Sequence, residues 1–299
     1  MNKSEIKVLG TTIVLDKDYP GLKAIINYQE PNISYIAQHF EKAVQQGEFK
    51  KLLEHLTTVY MTDSKRFEQR TQSEEIFIYS DEYIKLTIGL SDVNQLVYKN
   101  HKLSTESDLP ISNNRRATLT SVMSERPIHV SKFAFDPKNS LEVFESDIPL
   151  VHKETLTLQT DEVHIAMPDN TIHLFEDTQG DTLWTSLTFV KEKAPLVWLF
   201  DTKTMRSMKG ISPDDEATRQ ELLIELLNRL NYSGATDFLS ELSELSEYHF
   251  VRWKALTTLL RLDTAKGIEA LKKATNDNHP HVNKAAVTTY QNFVSAGLV

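Results

Sequence analysis

Val251-Arg252-Trp253-Lys254-Ala255-Leu256-Thr257-Thr258-Leu259 recurs 31 residues later as Val282-Asn283-Lys284-Ala285-Ala286-Val287-Thr288-Thr289-Tyr290. Self-similarity at such a period marks supersecondary units that stack on one another, because a single helix pair cannot bury its own apolar stripe. The segments before each copy also correspond: Ala235-Thr236-Asp237-Phe238-Leu239 and Gly267-Ile268-Glu269-Ala270-Leu271 each precede a polar turn and a helix that opens on valine. Glu221 to Leu230 supplies an earlier, atypical helix. The last third of the chain is therefore expected to be helical from residue 213 to 299.

Upstream the texture is different. Ile76-Phe77-Ile78-Tyr79, Tyr83 to Ile88, Val130 to Phe135, Thr155 to Leu158, Val163-His164-Ile165-Ala166 and Leu183 to Phe189 are short alternating runs separated by turn residues. That pattern predicts antiparallel strands in a barrel or sandwich, since no long helices intervene to cross over a parallel sheet. An opening hairpin is expected around Gly10, and two short helices over about 32–60, with Gly47 as the break between them. The predicted class is α+β and multidomain: a mostly antiparallel β domain over 1–209 with N-terminal helices, then the helical domain. Gly210 to Asp215 reads as the linker.

Two resemblances attach to these segments. The turn Asn276-Asp277-Asn278-His279-Pro280-His281 followed by Val-x-x-x-Ala-Ala resembles the HEAT family in its short form. It implies a right-handed stack of antiparallel helix pairs, serving either as a partner-binding face or as a structural cap on the β domain. The segment from Glu162 to Asp177 resembles the second conserved motif of cupins, Gly-x5-Pro-x-Gly-x2-His-x3-Asn. Pro168 and His173 match it, Glu162 and Asn170 replace its glycines, and Asp177 replaces its asparagine.

The cupin resemblance implies a barrel and, in metal-bearing members, three imidazoles and a glutamate. If Val143 to Asp147 closes the first motif, Asn139 falls at the glutamate position, and Lys132 with Ala134, or Phe133 with Phe135, at the histidine pair. His173 is then left without companions, short of the three ligands a catalytic metal takes. A different register would gather His129, Glu145 and His152 with His173, and those four are the metal candidates under that alternative. His164 is expected to face solvent or bond to backbone.

Composition limits the rest. The 299 residues hold no cysteine, so thiolate chemistry, disulfides and Cys-held metals are excluded. A net charge of −9 opposes a polyanionic partner, and nucleic acid is not expected. The start of the chain is polar and no apolar run approaches ~18 residues, so neither leader nor membrane span is expected and the location is read as cytoplasmic. Glycine-rich phosphate loops, Gly-x-Ser-x-Gly and His-Glu-x-x-His do not occur.

The functional expectation is a non-catalytic binding or scaffold protein, or a small-molecule-responsive one, with a small apolar ligand in the barrel and no cofactor. A protein partner is expected on Arg252, Trp253, Lys254 and Lys284, with Trp253 alternatively packed inward, and a homodimer is open. His249, His279 and His281 are read as turn-capping residues. The alternative is a cupin-type oxygenase or isomerase holding Fe(II) or another divalent transition metal through His173.

Overall fold

The computed structural model describes residues 3–28, 32–63, 75–91, 110–138, 140–175 and 182–297. The chain divides into two compact units, Met1–Pro213 and Asp214–Val299.

The first unit is β-rich, and every ladder between its named strands is antiparallel. β1 (Glu5–Val8) and β2 (Thr11–Val14) form a hairpin, followed by α1 (Pro20–Ile26), α2 (Ile33–Gln45) and α3 (Glu48–Thr62). Glu48 is fully buried because its carboxylate accepts the backbone N–H groups of Gly21 and Leu22, both at 2.8 Å. It thereby satisfies two of the unpaired donors that open α1.

Five strands make the central sheet, in the order β3 (Glu75–Ser80), β4 (Ile84–Ser91), β11 (Thr182–Lys193), β6 (Arg116–Val122), β9 (Val163–Ala166). Alternation assigns its two faces opposite chemistry. Ile84, Leu86, Ile88, Leu119 and Leu187 share one face and pack with Ile36, Phe40, Phe49 and Leu52 of the helices in a single core. Each such side chain contributes about 1.5–3 kcal/mol by leaving water.

A three-stranded sheet, β10 (Thr171–Phe175), β7 (Ile128–Ala134), β8 (Val151–Leu158), and another, β13 (Arg206–Ile211), β12 (Val197–Asp201), β5 (Ile111–Ser112), complete the unit. Ile172 and Phe133 are cross-strand partners and pack on Trp198 and Phe200. The opposite face of β7 meets the central sheet, where Val130 and Ile128 join Val122 and Leu158 in a small core.

The linker expected at Gly210–Asp215 is corrected at its start. Gly210 and Ile211 are strand residues paired with Trp198 and Val197. Leu196 and Phe144 crowd the place where a side chain at Gly210 would stand, with a would-be Cβ only 2.8 Å from Leu196. The glycine marks a tight packing contact in β13 rather than a flexible joint.

The second unit is helical: α4 (Asp215–Arg229), α5 (Thr236–Leu245), α6 (His249–Leu262), α7 (Thr264–Ala274) and α8 (Pro280–Ser295). From α5 on, each helix packs on the next, and α5, α6 and α4 also reach the next but one, burying Leu239, Val251, Ala255, Leu259, Leu271 and Ala286. Asp214 and Asp263 cap α4 and α7 through their side chains. Among the described residues no helix is long and apolar enough to cross a membrane.

Candidate functional site

An imidazole pair forms where the edge strands of two sheets approach each other. On β9, His164 and Ala166 point to the side opposite Ile165, which is 48% exposed. His164 is 8% exposed, and its Nε2 is buried with no hydrogen-bond partner among the described residues. Its ring stands edge-on to that of His173 on β10, with centroids 4.8 Å apart at 87°, and to Phe175 at 6.1 Å.

Both rings are held neutral at pH 7. Burial, then the neighbouring His173 and Lys132, whose charged forms would repel an imidazolium, push His164 down to about 4. Burial and Lys132 also lower His173, against the smaller opposing influence of Asp169 and Glu154. An unpaired buried nitrogen of this kind costs about 1–3 kcal/mol, so it marks a place where a fold has given up stability.

The tautomer of His173 follows from its neighbour. The Asn114 amide nitrogen lies 3.2 Å from the Met167 carbonyl, which can only accept, and 3.1 Å from His173 Nδ1. Asn114 therefore donates to both, Nδ1 accepts, and the ring proton of neutral His173 sits on Nε2. One imidazole of the pair is thus a preset N–H donor beside a second imidazole with an unpartnered nitrogen.

The pair terminates a polar row. Cross-strand register aligns Phe77, Thr87, Ser186, Thr120 and His164 across the central sheet, and His173, Lys132 and Glu154 across the facing one. Residues directly opposite share a face. Lys132 Nζ stands 3.7 Å from Glu154 Oε1, a loose and partly exposed contact.

Of the four metal candidates named from sequence only His173 is here, and Lys132, which the alignment put at a histidine position, is its cross-strand neighbour. The alternative grouping of His129, His152 and Glu145 with His173 is corrected. His129 bonds Thr157 at 3.1 Å on the exposed side of β7, and three residues from Lys132 it points away from His173. His152 bonds Thr155 at 3.1 Å and packs on Phe133, again on the other face. Glu145 lies outside the strands, where its carbonyl accepts from Ser207. Asn139 and Asp177 fall outside the described residues.

His164 was expected to face solvent or to bond to backbone; the first alternative is corrected, since the residue is 8% exposed. The signal that would have found it is parity: His164 and Ala166 alternate with Val163 and Ile165, and it is the small residue, not the β-branched one, that is buried beside it.

The helical unit holds the other histidine cluster. His249 and His279 stack at 3.6 Å and 9°, with His281 edge-on to His279 at 5.2 Å. His279 caps α8, where its Nδ1 accepts the N–H of His281 at 3.4 Å. A cavity of about 780 Å³ beside them is lined by Arg252, Asp277, Lys273 and Glu244. Four of its charges pair internally, Arg252 with Asp277 at 2.7 Å and Lys273 with Glu244 at 2.8 Å.

Arg252 is consequently turned into the unit, 7% exposed, and not onto an open face. Trp253 is half-buried against the helical core, Lys254 reaches Glu221 at 3.8 Å, and Lys284 is exposed.

A transition metal would find the free nitrogen of His164 and the ring of His173. It would find no third donor, because among the described residues no three His, Asp or Glu side chains converge. The charge of Lys132 on the same row adds repulsion. The residues present do not fit the three-ligand set a catalytic metal ordinarily takes.

No family model matches the chain, and no curated protein matches it. Among solved structures it is similar to the DMSP lyases RdDddP and RnDddQII, at 15% identity over 36% of this chain and 40% of that one, TM-score 0.20. It is similar also to FeII HppE, at 13% identity over 38% of this chain and 50% of that one, TM-score 0.22. The chain spans half or less of their lengths, and at such TM-scores the likeness by itself carries no argument. The expectation of a non-catalytic binding or scaffold protein is corrected as the main reading on the site itself, where a buried and unpartnered imidazole nitrogen stands beside a second imidazole; the structures named above are of lyases and of an FeII protein.

Proposed function

We propose that this chain is a cupin-type enzyme that moves a proton on a small substrate, an isomerase-type reaction, with His164 and His173 as its reactive pair. The observation that carries the reading is the buried, unpartnered Nε2 of His164 beside a His173 whose ring proton is fixed on Nε2. In this reading His173 Nε2–H donates to a carbonyl oxygen of the substrate. His164 takes the proton from the adjacent carbon and returns it. Positioned acid–base groups of this kind supply about 10²–10⁴-fold in rate.

A neutral imidazole as low in basicity as His164 is a weak base towards water. It becomes an effective one as negative charge develops on the substrate beside it, because the imidazolium then gains a counter-ion. Among the described residues the pair lacks a third ligand, so no step is routed through a metal. The helical unit is read as a HEAT-like stack, on the 31-residue offset between the starts of α6 at His249 and α8 at Pro280.

The test is solvent deuterium incorporation into α-hydroxy carbonyl compounds and 2-keto acids, followed by proton NMR with chelator-treated protein. Exchange that survives chelation and disappears in His173→Asn and in His164→Asn supports the proposal. Exchange that appears only when Fe(II) is restored transfers the activity to metal chemistry and overturns this account of it.

A further inference from the structure

The face of the central sheet that carries His164 is unusual for a partly buried surface. Five of the positions on it are hydroxylic, Thr87, Thr118, Thr120, Ser186 and Thr188, aligned by register on four adjacent strands together with His164. Thr87 and Ser186 are 5% and 8% exposed. The face is not uniform: it also carries Val122 and Ala166 and, at its far end, the Lys85–Glu75 pair at 3.8 Å, and the helix-covered face holds buried hydroxyls of its own at Ser121 and Thr185; what is concentrated here is a patch of hydroxyls on adjacent strands. Short uncharged hydroxyls, which both donate and accept, suit a ligand that does the same.

Two further features bound the ligand. Trp184 lies across Gly89, where an added Cβ would come within 2.1 Å of the indole, so the ring is spread along the floor of this face and offers it a flat apolar patch. Lys132 stands at the histidine end, cross-strand from His173, with Glu154 at 3.7 Å as a half-exposed and loosely held counter-ion. A bound anion competes with this half-exposed carboxylate for the ammonium, and the attraction grows as water is excluded. One ammonium fits one carboxylate, whereas phosphate sites usually gather several donors.

From these observations we propose that the substrate class is a small hydroxylated carboxylic acid, its carboxylate on Lys132, its hydroxyls along Thr120 and Ser186, and its C–H face on Trp184. The columns of His164 and Ser186 are two strand spacings apart, about 10 Å. The sequence had pointed to an apolar ligand, and the hydroxylic row argues for a polar one. A carboxylate there also offsets the charge of Lys132, which otherwise opposes protonation of both imidazoles. The substrate thus raises the basicity of the pair that acts on it. This inference rests on the proposed function for its site but not for its test.

Isothermal titration of the full chain with D-gluconate, D-glucose and hexanoate separates the contributions. Gluconate is expected to bind at least about tenfold more tightly than either glucose, which lacks the carboxylate, or hexanoate, which lacks the hydroxyls. Lys132→Met should remove the preference over glucose, and Thr120→Val with Ser186→Ala the preference over hexanoate, in variants whose circular dichroism is unchanged. Glucose or hexanoate binding as tightly as gluconate, or no binding of gluconate, overturns the inference. The two readings fail separately: gluconate preference without deuterium exchange on any hydroxy acid sinks the proton-transfer reading alone, and exchange confined to uncharged substrates sinks the substrate class alone.

Discussion

The two histidine clusters differ in what their neighbours leave undone. His164 and His249 are both depressed to about 4 by burial and by nearby positive charge. In the helical unit the surrounding groups complete one another: His279 caps α8, Arg252 and Asp277 close a bidentate pair, and Asp277 also accepts the N–H of His279 at 2.7 Å. In the β unit an imidazole nitrogen is buried unpaired beside a row of hydroxyls. Clustering and lowered basicity are common to both. What sets the β-unit pair apart is a buried nitrogen without a partner, whereas His249 is only partly buried.

That contrast breaks most sharply under substitution. His164→Asn or His173→Asn is expected to lower the deuterium-exchange rate by about 10²–10⁴-fold. His249→Asn should leave it within about twofold, a change of under ~0.5 kcal/mol in the barrier. Comparable losses at His249, measured by the same NMR assay, would erase the distinction between the clusters.

The converse holds for stability. Arg252 and Asp277 are each 8% exposed at the side chain, and their pair joins α6 to the turn before α8. Arg252→Met strands a buried carboxylate and should cost about 3–5 kcal/mol. In differential scanning calorimetry this should lower or abolish the transition of the helical unit, while Lys284→Glu, at an exposed position, leaves it in place. An unchanged thermogram for Arg252→Met would show that the pair is not what closes that turn.

Acid should act on both units alike. A histidine whose folded pKa lies below its unfolded value of about 6.5 binds fewer protons folded than unfolded between the two values, so stability falls as the pH drops through that window. For His164 and His249 the window runs from about 6.5 down to about 4. Melting temperatures taken at pH 7 and at pH 4.5 should differ by several degrees. His164→Asn and His249→Asn should each flatten the dependence of their own unit, and a dependence untouched by either variant would contradict the burial argument.

The smallest expected effect is Gly89→Ala, which pushes the Trp184 ring off the strand. Overpacking of this kind costs about 1–3 kcal/mol. Tryptophan emission should shift to longer wavelength as the ring leaves its place, and gluconate binding should weaken with it. Unchanged emission would mean that the indole does not lie on this strand.

How far the site could be read in advance varied by residue. His173 was legible through its spacing from Pro168. Lys132 was legible as a lysine standing where a metal-binding relative would have an imidazole, though its pairing across the strand with His173 was not. His164 was misplaced because β-branched neighbours usually point inward, and here Ile165 is exposed while Ala166 is buried. Arg252 read as a surface cation because its partner, Asp277, is 25 residues away in sequence.

By itself the sequence determined the local order of this protein. The change of hydrophobic period from two to between three and four, the absence of cysteine and the 31-residue recurrence establish a β-rich unit followed by a helical one, because periodicity and reactive side chains are properties of neighbouring residues. Tertiary structure decided which face of each strand is buried, that Gly210 belongs to a strand, and that His164 meets His173. Those facts depend on register and on contact between sheets, and a one-residue slip in either would have turned every side chain of the site to the opposite face.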